Sequence, residues 1–354
     1  MKVYVLPADI YACGHNRLIW PTNVLQATGV DVTIIPPGTD TGLMINVKEN
    51  PDGSRTVVNV EVPPDADVIV LQRPAHPFQP HLVDTFRENG IAVVVDMDDD
   101  MSSIHPDNRS FQLYRPRSDS PLSWQHTLEA CKRATLVTTS TAQLQKVYAR
   151  HGRGMVLDNY VPEAYLQFPK QRAGTFGWAG TVVSHPNDPQ VLRGAVQPLI
   201  DEGAVFQVVG DGRQVKQVMG LREEPSATGP LGLDMWARSI AENLDTGLVP
   251  LASTSFNSSK SRLKGIEYMS VGVPWVASPR TEYRRLHKES GTGFLAETPK
   301  EWYRHIKALM TDDRLYEEQS QASRHYMRDQ TYQANAWRWE EAWNRAYDIQ
   351  RGRA

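Results

Sequence analysis

Cysteine is almost absent from this chain, with two in 354 residues, Cys13 and Cys131. That scarcity argues against a disulfide framework or a cysteine-based zinc site, and a reduced, cytoplasmic setting is its simplest reading. Long apolar runs are missing too. No stretch reaches a membrane span, and the opening MKVYVLPADI is interrupted at Pro7 and Asp9 too soon to read as a secretory signal. Neither sign of charge prevails: a net charge of −3 gives no global signal for nucleic acid or membrane. The GxGxxG fingerprint is lacking, which removes the main support for a dinucleotide-binding dehydrogenase. There is no low-complexity tract and no internal sequence repeat.

What is present is an ordinary globular composition, 40% apolar and 22% charged, in a chain long enough for two cores. Apolar strands alternate with helical patterns. Strands are expected at Lys2 to Pro7, Asp31 to Pro37, Asp67 to Pro74 and Ile91 to Asp100, with a hairpin over LMINVKEN and SRTVVNVEV turned at Pro51-Asp52-Gly53. A turn containing Gly14 leads to a helix interrupted at Pro21, and further helices cover Gln79 to Asn89 and Ala142 to His151. The alternation restarts at GTFGWAGT, with a helix from Pro189 to Glu202 and strands at Ala204 to Gly212 and Thr246 to Leu251. This pattern predicts an α/β protein of two doubly wound, Rossmann-like domains. We place the first at residues 1–165, rejoined by a terminal helix at about 335–354, and the second at 166–334. Trp337, Trp339 and Trp343 on that helix read as packing against the first domain, a binding platform being the other reading.

The stretch Phe256 to Ser278, FNSSKSRLKGIEYMSVGVPWVAS, carries the chemistry. A loop rich in Asn and Ser enters a short helix that Ser258, Ser259 or Ser261 is placed to cap, leaving backbone N–H groups and the positive end of the dipole for an anion. Lys260, Lys264 and Glu267, at i, i+4 and i+7, share one helix face. Cations and N–H donors suit a diphosphate, and a carboxylate suits a ribose diol. The plain alternative is a solvated Lys264–Glu267 pair worth about 0.2–0.5 kcal/mol.

This segment, preceded by TGLVPL, resembles the nucleotide-binding segment of the group 1 family of retaining glycosyltransferases of GT-B fold. The resemblance implies two domains facing each other across a cleft, a nucleotide-diphosphate sugar as co-substrate rather than a bound cofactor, and no essential divalent cation. By analogy Glu267 is the ribose ligand, Lys260 and Lys264 with Ser261 hold the diphosphate, and Gly14, Arg17 and Gly180 approach it, with His185 following. Two departures stand out. Ser259 occupies the position of the family's first carboxylate, and FGWAGT replaces the usual Gly-Arg after the first strand of the second domain. The implied activity is transfer of a hexosyl or pentosyl group to a hydroxyl with retention of configuration. The alternatives are a nucleotide-sugar epimerase and a non-catalytic nucleotide-sugar-binding protein.

The acceptor side is less defined. Asp96, Asp98, Asp99 and Asp100 cluster at the tip of a predicted strand, with His105 after them. Three readings stay open: Asp98, Asp100 and His105 serve an acceptor hydroxyl as base or hydrogen-bond acceptors, the cluster binds a metal, or it is a solvated turn. We rank acceptor contact first and assign no metal ligand. From Arg109 to Arg153 basic residues outnumber acidic ones eight to two. That surplus is compatible with a polyanionic acceptor, hydroxymethylated phage DNA included, or with scattered helix-surface charge. A glycan or a small molecule is the other acceptor class.

Overall fold

The computed structural model describes residues 1–38, 44–51, 55–114, 123–170 and 172–353. The chain forms two compact units. Unit 1 comprises Met1–Ser103, Gln112–Asn159 and Tyr332–Ala354, and unit 2 comprises Ile104–Phe111 and Tyr160–Thr331.

The strands of unit 1 are β1 (Val3–Leu6), β2 (Val32–Ile34), β3 (Met44–Glu49), β4 (Arg55–Glu61), β5 (Val68–Gln72), β6 (Ala92–Met97), β7 (Leu136–Thr139) and β8 (Gly154–Val156). Six of them make one parallel sheet in the order β2-β1-β5-β6-β7-β8. Every residue of β5 and β6 is buried, which is why these strands read as continuous apolar runs rather than alternating ones. β3 and β4 form the expected antiparallel hairpin, with a register shift at Asn46/Val47. Asp52 and Gly53 of its predicted turn lie outside the described residues.

Pro21 does not interrupt the first helix. The chain passes through a π-helical turn at His15–Ile19 and continues as the α-helix Trp20–Ala27, with Pro21 at its second residue. The terminal helix Trp337–Gln350 packs on β5, β6 and β7 of unit 1. Trp339, Ala342, Trp343 and Ala346 fall on one helical face and are buried, whereas Trp337 is 50% exposed. Burying an indole removes about 150–250 Å² from water, worth about 4–6 kcal/mol each before entropy is charged.

Unit 2 contains β9 (Thr175–Ala179), β10 (Val205–Val209), β11 (Ser226–Ala227), β12 (Thr246–Val249), β13 (Trp275–Ala277) and β14 (Phe294–Leu295), all parallel, in the order β11-β10-β9-β12-β13-β14. Strand order reverses between β9 and β12, so the carboxyl ends of these two strands flank a topological switch point. Phe176, Trp178, Phe206, Val208, Leu248 and Val276 from the sheet pack with Leu199, Trp302, Ile306 and Leu309. The helix expected from Pro189 to Glu202 is broken into a 3-10 turn, Pro189–Leu192, and the helix Val196–Asp201, because Gly194 between them takes φ +77°.

Candidate active site

β12 leads into a short helix, Ser255–Ser258, whose cap is Thr254: its hydroxyl accepts the Asn257 N–H at 3.1 Å. The helix that follows spans Leu263–Ser270. Its cap position is Arg262, which makes no side-chain cap bond, while the Gly265 N–H donates to the buried hydroxyl of Tyr283. The chain therefore turns twice where the sequence reading has one helix, and Lys260 precedes the helix instead of sharing its face. Lys260 Nζ sits 4.4 Å from the centroid of the Phe256 ring.

Lys264 and Glu267 do share a face. Lys264 Nζ is 3.2 Å from Glu267 Oε2 and 4.7 Å from the centroid of Trp236, so a carboxylate and an indole face both hold the ammonium. The pair is far from solvated, with side-chain exposures of 23% and 10%. Glu267 Oε1 accepts no hydrogen bond among the described residues, leaving one oxygen of a nearly buried carboxylate open to a hydroxyl donor.

Gly180, at the end of β9, does not offer its N–H to a ligand, since that group donates to Val209 O at 2.9 Å. Glycine is required there by packing, because a Cβ would stand 2.7 Å from the Trp178 ring. Beyond it, His185 Nδ1 lies 2.9 Å from Asp188 Oδ2, and the imidazole meets Trp178 edge-on with ring centroids 6.3 Å apart. Asp188 Oδ1 accepts the Ala252 N–H at 3.0 Å and Asn257 Nδ2 at 2.6 Å. Burial pushes the Asp188 pKa up, but the hydrogen bonds from His185, Ala252 and Asn257 outweigh it and hold the carboxyl below its ordinary value. The loop after β9 also borders a cavity of about 410 Å³, lined by Val182, Val183, Pro186, Gln190 and Arg193, that includes neither Lys264 nor Glu267.

In unit 1 the first turn is closed by its own side chains. Gly14 N–H donates to Asp9 Oδ1 at 2.9 Å, and a Cβ on Gly14 would lie 1.8 Å from Asp9 O, so the close backbone approach is to the chain itself. Arg17 is 1% exposed. Its Nε and Nη2 donate to Asp96 at 3.0 and 2.8 Å, and Nη1 donates to Leu157 O and Asn159 Oδ1 at 2.6 and 2.7 Å. Burial works against this charge, and Asp96 outweighs it. Arg17 and Gly14 are therefore reassigned from phosphate contacts to the scaffold.

Asp98 Oδ1 is 3.3 Å from Arg73 Nε, and Arg73 Nη2 is 2.6 Å from Asp9 Oδ2. Arg73 adopts φ +46°, a strained conformation for a non-glycine residue at a strand end. Asp100 Oδ1 accepts both the N–H and the hydroxyl of Ser102. His105 belongs to the 104–111 segment counted with unit 2, and its Nδ1 accepts the Asp107 N–H at 3.2 Å. Among the described residues no three His, Cys, Asp or Glu side chains converge on one point.

Much of the basic stretch serves the fold. Arg133 pairs with Asp84 and Glu129, Lys132 pairs with Glu129, and Arg153 donates to the carbonyls of Thr135 and Ala134. Arg115 and Arg117 lie outside the described residues. No helix among those described is long and apolar enough to cross a membrane. Asp188, Trp236 and Arg73 were missed by sequence reasoning. Only Asp188 left a signal, the His-x-x-Asp spacing.

Residues 173–312, within unit 2, match the family model described as "Glycosyl transferases group 1". No curated protein sequence matches the chain. Among solved structures, Anabaena Alr3699/HepE in complex with UDP superposes with a TM-score of 0.60 at 13% identity, covering 96% of this chain and 99% of that one. WaaG, a glycosyltransferase involved in lipopolysaccharide biosynthesis, gives 0.57 at 13% identity over 99% and 100%. A glycosyltransferase from Rickettsia africae gives 0.59 at 12% identity over 100% and 99%. The resemblance seen at Phe256 to Ser278 thus extends over most of unit 2, and the fold is that of GT-B glycosyltransferases.

Proposed function

We propose that this chain is a glycosyltransferase that moves a sugar from a nucleotide-diphosphate sugar to a hydroxyl acceptor with retention of configuration. The observation that carries the reading is the Lys264–Glu267 pair on the helix after β12, inside the segment that matches group 1 glycosyl transferases. The likeness to a UDP complex of HepE supports the same donor class. Glu267 Oε1 accepts a ribose hydroxyl, and Lys264, turning from Glu267 Oε2, meets a phosphoryl oxygen, with Lys260 beside the loop. In the reaction the bond from the anomeric carbon to the diphosphate oxygen breaks and a bond to the acceptor oxygen forms. The acceptor proton passes to the departing diphosphate. The cations stabilise charge that grows on that leaving group. Ser259, 2% exposed, supplies no carboxylate to the donor sugar.

The test is calorimetric titration of UDP-, GDP-, ADP- and dTDP-sugars, with and without a divalent cation, into wild type and Glu267→Ala. One ligand binds without the cation, and the variant binds it about 10- to 150-fold more weakly, the value of hydrogen bonds to a charged acceptor. Absence of binding by all four refutes the reading. The selected donor is then offered glycans, small hydroxylated acceptors and hydroxymethylated DNA. Release of nucleoside diphosphate without a glycosylated product indicates an epimerase.

A further inference from the structure

We propose that His185 is a phosphoryl-binding side chain at the switch point of unit 2, aimed by Asp188 at the terminal phosphate of the nucleoside diphosphate. This inference rests on the nucleotide-sugar reading above. Open parallel sheets bind ligands outside the carboxyl ends of their strands where the order reverses, here β9 and β12. His185 stands on the loop leaving β9. Asp188, three residues on, takes the N–H of Ala252, just past β12, and the amide of Asn257, which opens the turn that carries Lys260. One carboxylate thus ties the two loops of the switch point together and joins them to the loop of the proposed diphosphate site.

The chemistry of the pair follows from its bonding. Asp188 is 4% exposed and both its oxygens are occupied. An ionised carboxylate only accepts, so His185 carries a proton on Nδ1, and the tautomer is set. Nε2 has no hydrogen-bond partner among the described residues, and the imidazole is 28% exposed. Between Gly180 and Gln190 the sequence is GTVVSHPNDPQ, in which His185 is the one side chain able to carry positive charge. Breaking the sugar–diphosphate bond adds a negative charge to the terminal phosphate. An imidazole held on Nδ1 by Asp188 turns its open Nε2 edge toward that oxygen, and the ring donates to it whenever Nε2 carries hydrogen. Asp188 is a positioning residue and His185 a ligand residue.

The test compares the nucleoside diphosphate selected by the donor panel with its monophosphate, on wild type, His185→Phe, His185→Gln and Asp188→Asn. We expect His185→Phe to weaken the diphosphate about 10-fold and the monophosphate less than about 2-fold. His185→Gln, which keeps a donor, recovers part of the loss and decides the matter if the Phe variant does not fold. Asp188→Asn shows a smaller loss of the same selectivity. Nitrogen-15 spectra of the wild-type imidazoles add a readout that packing alone does not move: the His185 Nε2 signal shifts with diphosphate and not with monophosphate. Equal losses for both nucleotides, or no loss, overturn the proposal, as does an unmoved Nε2 signal. If nucleotide binding depends on Glu267 but not on His185, this inference fails alone. If wild type binds no nucleotide, both readings fail.

Discussion

The reassignment of Arg17 to the scaffold makes a sharp prediction. In Arg17→Met the guanidinium vanishes from a site where it is 1% exposed, and four acceptors lose their donor: both oxygens of Asp96, Leu157 O and Asn159 Oδ1. Thr138 Oγ1, 2.7 Å from Asp96 Oδ2, remains as a neutral donor to a stranded carboxylate. Breaking a buried ion pair from one side costs about 3–5 kcal/mol. For a domain of this size each kcal/mol lowers the midpoint by about 2–4 °C, so unit 1 should melt about 6–20 °C lower. The assay is scanning calorimetry with urea unfolding as a check. The double variant Arg17→Met/Asp96→Leu should recover at least about 1–2 kcal/mol of the loss, because it removes the stranded charge along with its partner. Nucleotide affinity, measured where both variants are folded, should change less than about 2-fold. The reasoning is refuted if Arg17→Met melts within about 1 °C of wild type but no longer binds nucleotide.

Three further outcomes follow from particular contacts. Asp188 has its folded pKa held below the ordinary 3.8, so its stabilisation is complete above that value and is lost as pH falls through the lower folded value; urea unfolding at pH 6, 4 and 3 should show a shallower acid loss in Asp188→Asn than in wild type. Gly14→Ala forces a Cβ to within 1.8 Å of Asp9 O, and backbone must shift; a loss of about 1–3 kcal/mol in unit 1, with nucleotide affinity retained, separates packing from ligand contact. Cys131 is buried, and burial pushes its thiol pKa far above the ordinary range; it should resist a thiol reagent at neutral pH until urea unfolds the chain.

The central strands of unit 1 were legible in the sequence because strands buried on two faces must be apolar throughout, and VIVLQ and AVVVDM are nearly so. Glu267 and Lys264 were legible for a similar reason, since their spacing alone puts them on one helical face. Long-range pairing was not legible. Arg17 stands near a turn with a glycine, and nothing local announces that Asp96, 79 positions away, will bury it. Gly180 looks like a phosphate-approach glycine until Trp178 and Val209 O are known to occupy both its sides. The start of the Leu263–Ser270 helix was misplaced because serines favour caps in general, whereas Thr254 caps the start of a separate short helix first. His185 and Asp188 are neighbours in sequence, yet the bonds that make them a device reach 64 and 69 positions on, to Ala252 and Asn257.

The docking of the terminal helix on unit 1 sets an order of events during synthesis. Trp339 Nε1 donates to Arg17 O at 2.7 Å, a bond between residues 322 positions apart. Apart from the 104–111 segment, unit 2 is a single run of chain and can complete its own core as it leaves the ribosome. Unit 1, begun first, waits for Tyr332 to close on Asn16 O and for Trp339 and Trp343 to cover its sheet. Of the two units, the one begun first is therefore the one finished second. Until then β5, β6 and β7 present an uncovered apolar face, which is where aggregation during synthesis would begin.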